Sequence, residues 1–326
     1  MSRIPMPLAA ALSVAAMLAA APATAEFRPT RPVEVIVHTG PGGGNDVLAR
    51  AIVSMMEKEK LVPVRMQVIN KPGGNGAVAA AAIMEKKDDP NAIGLITSVW
   101  IANALTTREA KVTIHDLKPI ARLMTEPAVI AVRADSPYKT LKDFIDAARA
   151  KPGELKQSGG SVTSRDNIVR QMLEHATGAK WVYVSFPGGG ERLAALLGGH
   201  VDIMVIEPQE AGEHVRAGKL RILAQIADHR LPGYPDAPTL KEAGFDLEPT
   251  PQIRAVVASP QMPADAAAYW ESTFMKLCQS ASWKKYVADN QLESACAPGP
   301  QLKQSIADID RQMRVLFEQS GIKMVK

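Results

Sequence analysis

No stretch after residue 25 is apolar over the roughly 20 residues that a bilayer-spanning helix needs. The usual signatures of nucleotide chemistry are also missing. "GPGGGND" (residues 40–46) is not followed by the Lys-Ser/Thr of a phosphate-binding P-loop. No G-x-G-x-x-G with a downstream acid marks a dinucleotide site, and no G-x-S-x-G elbow marks a hydrolase nucleophile. His38, His115, His175, His200, His214 and His229 show neither an i, i+4 pair nor a metal-ligand spacing with cysteine. No cofactor and no metal are expected. A surplus of charge is lacking as well: 38 basic residues face 34 acidic ones, too mild and too evenly spread an excess to argue a nucleic-acid partner. Short repeats and low-complexity linkers are absent.

The first 25 residues read as a removable leader. Arg3 gives a positive start, an apolar stretch too short to span follows, and Ala23-Thr24-Ala25 has the small-x-small form of a signal-peptidase site. Cleavage after Ala25 is expected to leave a soluble, exported chain, and losing Arg3 lowers the formal charge from +4 to +3. Cysteine is nearly absent, with Cys278 and Cys296 alone. In an oxidising compartment these two are disulfide candidates; the alternative is a pair of buried thiols.

What remains reads as an α/β protein of two units. Strand-like runs at residues 33–38, 64–69 and 93–98 alternate with helical patterns, and glycine-rich loops stand at the handovers. The pattern restarts at 128–132 and continues through strand-like runs at 155–157, 181–185, 201–206 and 220–226. The C-terminal part reads as mostly helical and has no sheet of its own. The expected organisation is therefore a discontinuous first domain (26–126 plus 228–326) with a second domain (127–227) inserted.

Each unit places small residues where a strand gives way to a helix. There the first helical N–H groups lack partners, and the helix dipole adds positive charge. Bare backbone lets an anion approach those donors. The first loop offers Gly42, Gly43, Gly44, Asn45 and Asp46, with the amides of Gly43 to Asp46 as expected donors. Asn45 and Asp46 serve equally as helix caps. "SGGSVTSRD" (158–166) adds hydroxyls: Ser158, Gly160, Ser161, Thr163 and Ser164 form the second candidate set. Arg165 either pairs with the anion or lies on a solvated first turn. Pro187 and Gly188 belong to a third loop, "FPGGGE" (186–191). Trp100 stands as either a pocket wall or core. Glu207 either accepts from a ligand hydroxyl or amine, or caps a hinge. No residue is assigned a catalytic role, although Ser161 with a distant histidine leaves an exported hydrolase as an alternative.

These loops resemble those of a known family. "PGGGND", "NKPGGNG" (70–76) and "SGGSVTS" occur in the order seen in Bug-type (TctC-type) extracytoplasmic solute-binding receptors of tripartite tricarboxylate transporters. "ALLGGHVDIMV" (195–205), "HVRAGKLRILAQ" (214–225) and "RLPGYPDAPTLKEAGF" (230–245) are similar to that family too, and more specific than the glycines. The resemblance implies a two-domain Venus-flytrap of the type II periplasmic-binding class. It implies a periplasmic monomer that captures a small organic acid without chemistry and delivers it to the membrane subunits of such a transporter. A receptor serving a signalling kinase would use the same pocket. One ligand carboxylate is expected against residues 42–46 and 158–164. The chain departs from the family where it reads "SFPGGGE" in place of a Tyr-Lys-Gly-like stretch and "EPQE" (207–210) in place of Asp-Asn. These departures put the usual dicarboxylate specificity in doubt.

Overall fold

The computed structural model describes residues 27–107, 111–186, 188–247, 252–290, 292–319 and 321–325. The expected leader and Pro187 lie outside the described residues. The chain opens with β1 (Val33–Val37), α1 (Gly44–Lys58), β2 (Met66–Asn70), α2 (Ala77–Met84), β3 (Ala92–Thr97), α3 (Val99–Thr106) and β4 (Lys118–Thr125). It continues with β5 (Ala128–Arg133), α4 (Leu141–Ala150), β6 (Lys156–Gly159), α5 (Arg165–Thr177), β7 (Val182–Ser185) and α6 (Gly189–Leu197). Next come β8 (Ile203–Ile206), α7 (Pro208–Arg216) and β9 (Leu220–Ile226). It ends with β10 (Ile253–Ala258), α8 (Ala264–Gln279), α9 (Ala281–Asp289), β11 (Glu293–Pro298) and α10 (Gly299–Gln319).

Two sheets divide these strands between two lobes. The first has the order β11-β4-β10-β3-β1-β2, and the second the order β7-β6-β8-β5-β9. β1 runs parallel to both β2 and β3, and β6 runs parallel to both β7 and β8. β10 enters the first sheet antiparallel to β3 and β4, and β5 enters the second antiparallel to β8 and β9. The side-chain period of two explains the continuous apolar runs. Val33, Val35 and Val37 join one core cluster while Ile36 joins the other. In β5, Ala128, Ile130 and Val132 face one core, and Val129 and Ala131 face its opposite. Helices cover both faces of each sheet, so neither face tolerates regular polar alternation.

β4, β10 and β11 extend the first sheet beyond what the sequence pattern suggests. Their apolar periodicity is broken by Pro119, Arg122 and Arg254. Each arginine is accommodated by specific partners: Arg122 donates to the Ala295 carbonyl at 2.7 Å and to Ser305 at 2.8 Å. The C-terminal part therefore does contribute strands, and they build the first sheet. A disulfide joins Cys278 of α8 to Cys296 of β11, with the Cα atoms 6.4 Å apart.

The chain crosses between lobes twice, and the crossings touch. The Glu126 amide donates to the Gln252 carbonyl at 2.7 Å. The segment after β9 stays with the second sheet: Leu231 and Tyr234 pack on one face and Leu240 on the other. Gln225 fastens it, donating through Nε2 to the carbonyls of Tyr234 and Ala237. Residues 231–240, beyond the boundary expected at residue 228, thus pack on the second sheet. Buried apolar side chains, which carry no positional label in the sequence, hold that segment there.

Candidate ligand-binding cleft

A cavity of about 380 Å³ lies between the lobes and is walled by both. The first lobe contributes His38, Gly42, Gly44 and Asn45, the second Gly189, Gly190, Arg192, Glu207 and Glu210. Glu126 and Gln252 line it at the crossings, and Arg254 enters from β10. Its position outside the carboxyl ends of parallel strands is where open α/β sheets bind ligands. A larger groove of about 820 Å³, lined by Lys139, Arg221 and Tyr234 among others, lies on the second lobe. It is walled by the second lobe alone, and the helix start it does contain, that of α4, is already capped by Thr140 and Asp143, so we place the site in the smaller cavity.

The three consecutive glycines serve different purposes. Gly42 has φ +79°, a left-handed conformation that L side chains rarely adopt. A Cβ on Gly43 would stand 2.7 Å from Thr39 Cβ, so that glycine permits the loop to close on itself. Gly44 faces the cavity, where a Cβ would meet only Arg254 Nη2, at 3.5 Å. Among the four expected amide donors, two are spent internally. Gly43 N–H donates to the Gly40 carbonyl at 3.1 Å, and Asp46 N–H to Thr39 Oγ1 at 3.1 Å. The amides of Gly44 and Asn45 have no acceptor among the described residues.

Asn45 and Asp46 hold this loop through their side chains. Asn45 Nδ2 donates to the Leu95 carbonyl at 2.7 Å, and its Oδ1 accepts from Arg254 Nη1 at 3.3 Å. Asp46 accepts from the Gly42 amide, Arg50 and Asn70. Burial opposes ionisation of Asp46, but these donors hold its carboxyl below the ordinary value. Asp46 is thus a brace of the loop instead of a ligand donor. His38, at the end of β1, is kept neutral: burial and then Arg254 lower its pKa to about 3.

The second loop is placed differently from expectation. Ser158 is a buried residue of β6 whose hydroxyl has no hydrogen-bond partner among the described residues. The Gly160 amide donates to Asp166 at 2.8 Å and is occupied. Ser161 pairs with Thr163 at 3.3 Å, and Ser164 with the Tyr183 hydroxyl at 3.0 Å. Neither of the two serines is bonded to a histidine among the described residues. Thr163 and Arg165 line a separate gap of about 10 Å³, too small for a solute. None of residues 158–164 lines the main cavity among the described residues, because the loop turns its hydroxyls onto itself and Tyr183. Gly188 precedes α6 as its N-cap, and its neighbours Gly189 and Gly190 reach the cavity instead. Trp100 is core, not wall: it is 3% exposed and lies over Gly76, where a Cβ would stand 2.6 Å from its Nε1.

Arginines and carboxylates organise the second side. Arg165, behind the cavity, donates to the Glu126 carbonyl at 2.6 Å and to Glu207 Oε1 at 3.1 Å. Glu207 is the N-cap residue of α7, with Pro208 next, yet its side chain makes no cap hydrogen bond. It spends itself on the ion pair. Burial pushes the Glu207 carboxyl up, but Arg165, Arg192 and Arg254 pull it below its ordinary value. Arg192 binds Asp166 tightly at 2.7 Å and stands 3.8 Å from Glu207 and 4.0 Å from Glu210. Glu210, in the first turn of α7, is pushed up to about 7 by burial and by the negative charge of Glu207.

Sequence reasoning gave His38, Glu126, Arg192, Glu210 and Arg254 no role. One signal was available: Arg254 is the lone charge in the apolar run of β10. Such a residue must be paired or face a cavity, and Arg254 does both.

Residues 48–322 match the family described as tripartite tricarboxylate transporter family receptor. A Cupriavidus necator relative, described as the UPF0065 protein in the gbd 5' region, is 28% identical over 314 residues. That match spans 96% of this chain and 94% of the relative. The solved structure of a TctC solute-binding protein from Polaromonas, without ligand, shares 28% identity and superposes with a TM-score of 0.68. It covers 90% of this chain and 100% of its own. R. palustris Rpa4515, solved with adipate, gives a TM-score of 0.83 at 22% identity, covering 90% of this chain and 98% of its own. At that identity the likeness establishes the two-lobe fold.

Proposed function

Because this chain belongs to the tripartite tricarboxylate transporter receptor family, we propose that it captures a small organic carboxylate between its lobes and hands it to the membrane subunits of such a transporter. The family's members are receptors, and the chain is a solute-binding protein, not an enzyme. The observation that carries the ligand class is the pair of free amides at the start of α1. Gly44 and Asn45 present them to a cavity walled by both lobes, beside the buried guanidinium of Arg254. A carboxylate accepting there gains charge-assisted hydrogen bonds and the helix dipole. Adipate, held by R. palustris Rpa4515 in the same fold, is of that class.

Contacts from both lobes would favour the closed form, with the touching crossings at Glu126 and Gln252 as the hinge. The leader would be removed after Ala25, leaving a periplasmic monomer. Among the described residues no helix is long and apolar enough to cross a membrane. A thermal-shift screen of the mature protein against mono-, di- and aminocarboxylates tests the reading. A carboxylate should raise Tm in proportion to the logarithm of its concentration above Kd and be recovered unchanged. A flat response to every acid, or consumption of the one that binds, would overturn it.

A further inference from the structure

Resting on that reading, we propose that the ligand is an aminocarboxylate, its carboxylate held at Gly44, Asn45 and Arg254 and its ammonium held by Glu207 and Glu210. Free donors stand on both sides of the cavity, and what separates the sides is the carboxylates. On the first-lobe side the free donors are two amides and Arg254 Nε, which is buried in a side chain 7% exposed and has no hydrogen-bond partner among the described residues. On the second-lobe side the Gly189 and Gly190 amides at the start of α6 have no acceptor among the described residues either, but two carboxylates there are short of partners. Glu207 spends Oε1 on Arg165, and its Oε2 accepts no hydrogen bond. The Glu210 side chain makes no hydrogen bond among the described residues, and its nearest cation is Arg192 at 4.0 Å.

Arg192 does not relieve that shortage, because its close contact goes to Asp166. Four carboxylates, Glu126, Asp166, Glu207 and Glu210, thus share three arginines, Arg165, Arg192 and Arg254. A dicarboxylate would bring a second negative charge against the Glu207–Glu210 pair. An ammonium brings three donors and the missing positive charge. Burial, and then the negative charge of Glu207, push the Glu210 carboxyl up to about 7.

The test uses matched probes on the mature protein in isothermal titration calorimetry. α- and ω-amino acids of two to six carbons are compared with the monocarboxylates and dicarboxylates of equal carbon count. The best aminocarboxylate should bind at least tenfold tighter than both of its counterparts. Glu210→Gln should reduce that preference at least tenfold, with ligand-free Tm reported alongside to show that the variant is folded. Dicarboxylates or monocarboxylates that bind as tightly as every aminocarboxylate would overturn the assignment while leaving the receptor reading intact. A preference that survives Glu210→Gln would overturn it as well. Absence of binding by all three classes would overturn both readings together.

Discussion

Arg254 Nη2 and Glu126 Oε2 meet at 2.6 Å with their side chains 7% and 5% exposed, tying the returning strand β10 to the first crossing between lobes. Removing one member of such a pair leaves a buried charge without its counter-ion. Arg254→Met should therefore cost about 3–5 kcal/mol. Arg254→Met with Glu126→Gln should recover most of that loss, since neither member of the pair then leaves a charge without its partner. Urea unfolding of the wild type, both single variants and the double variant measures the coupling. Equal losses in the single and double variants would show that the pair contributes only packing.

Gly44→Glu tests the anion cradle with little cost to the fold. Its Cβ has ordinary space, and an acidic residue at a helix start is favourable. The new carboxylate would occupy the place reserved for the ligand's own. Carboxylate binding should weaken at least about tenfold, or 1.4 kcal/mol, with ligand-free Tm nearly unchanged. Gly43 is unsuited to this purpose: even Gly43→Ala forces Cβ against Thr39, an overpacking worth about 1–3 kcal/mol of stability. If Gly44→Glu binds its ligand normally, the cradle lies elsewhere.

The parts of this molecule that could be read from its sequence are those governed by local rules. Glycines at strand-to-helix handovers located the first loop, and apolar periodicity located β1, β3, β5 and β8. β10 escaped because Arg254 interrupts its pattern, although that same residue supplies the buried cation of the cleft. The serine-rich loop misled for the opposite reason. Its hydroxyls are chemically suited to a carboxylate, but whether they face the cavity depends on Tyr183 and Asp166, which take up Ser164 and the Gly160 amide. Trp100 was undecidable from its position alone, because its burial depends on the close approach of Gly76. Ion-pair partners such as Arg192 and Asp166 are 26 residues apart on different helices, and no spacing rule connects them.

Cys278 and Cys296 close a loop with a sequence separation of 18 residues, clamping α8 to the edge strand β11. A loop of that size restricts the unfolded chain by roughly 3 kcal/mol. Cys278→Ala with Cys296→Ala should lose about that much by urea unfolding. Ligand affinity should be unchanged, because neither cysteine lines the cavity among the described residues. Equal stability of the two forms would mean that the loop is already restricted in the unfolded chain.

The cleft also fixes a pH dependence. Glu210, facing Glu207, Arg192, Glu126 and Asp166, is pushed up to about 7, so the fold favours its protonated form. That contribution is full below its ordinary value of 4.5 and is lost as pH rises through about 7. Glu207 acts in the other sense: held low, it contributes above its ordinary value and loses that contribution as pH falls. His38, lowered to about 3, likewise contributes above its ordinary 6.5 and less below it. Comparison with Glu210→Gln cancels the trends of His38 and, to first order, Glu207, because glutamine mimics the protonated carboxyl at every pH. The ligand-free Tm of the wild type should therefore fall relative to that variant between pH 4.5 and pH 7.5. An ammonium seated against Glu210 should reverse this by favouring the charged carboxylate, so that binding near pH 7 releases protons to the buffer. Calorimetry in two buffers of different ionisation enthalpy reads that release directly. A constant Tm difference across the range would show that Glu210 titrates as an ordinary surface carboxylate.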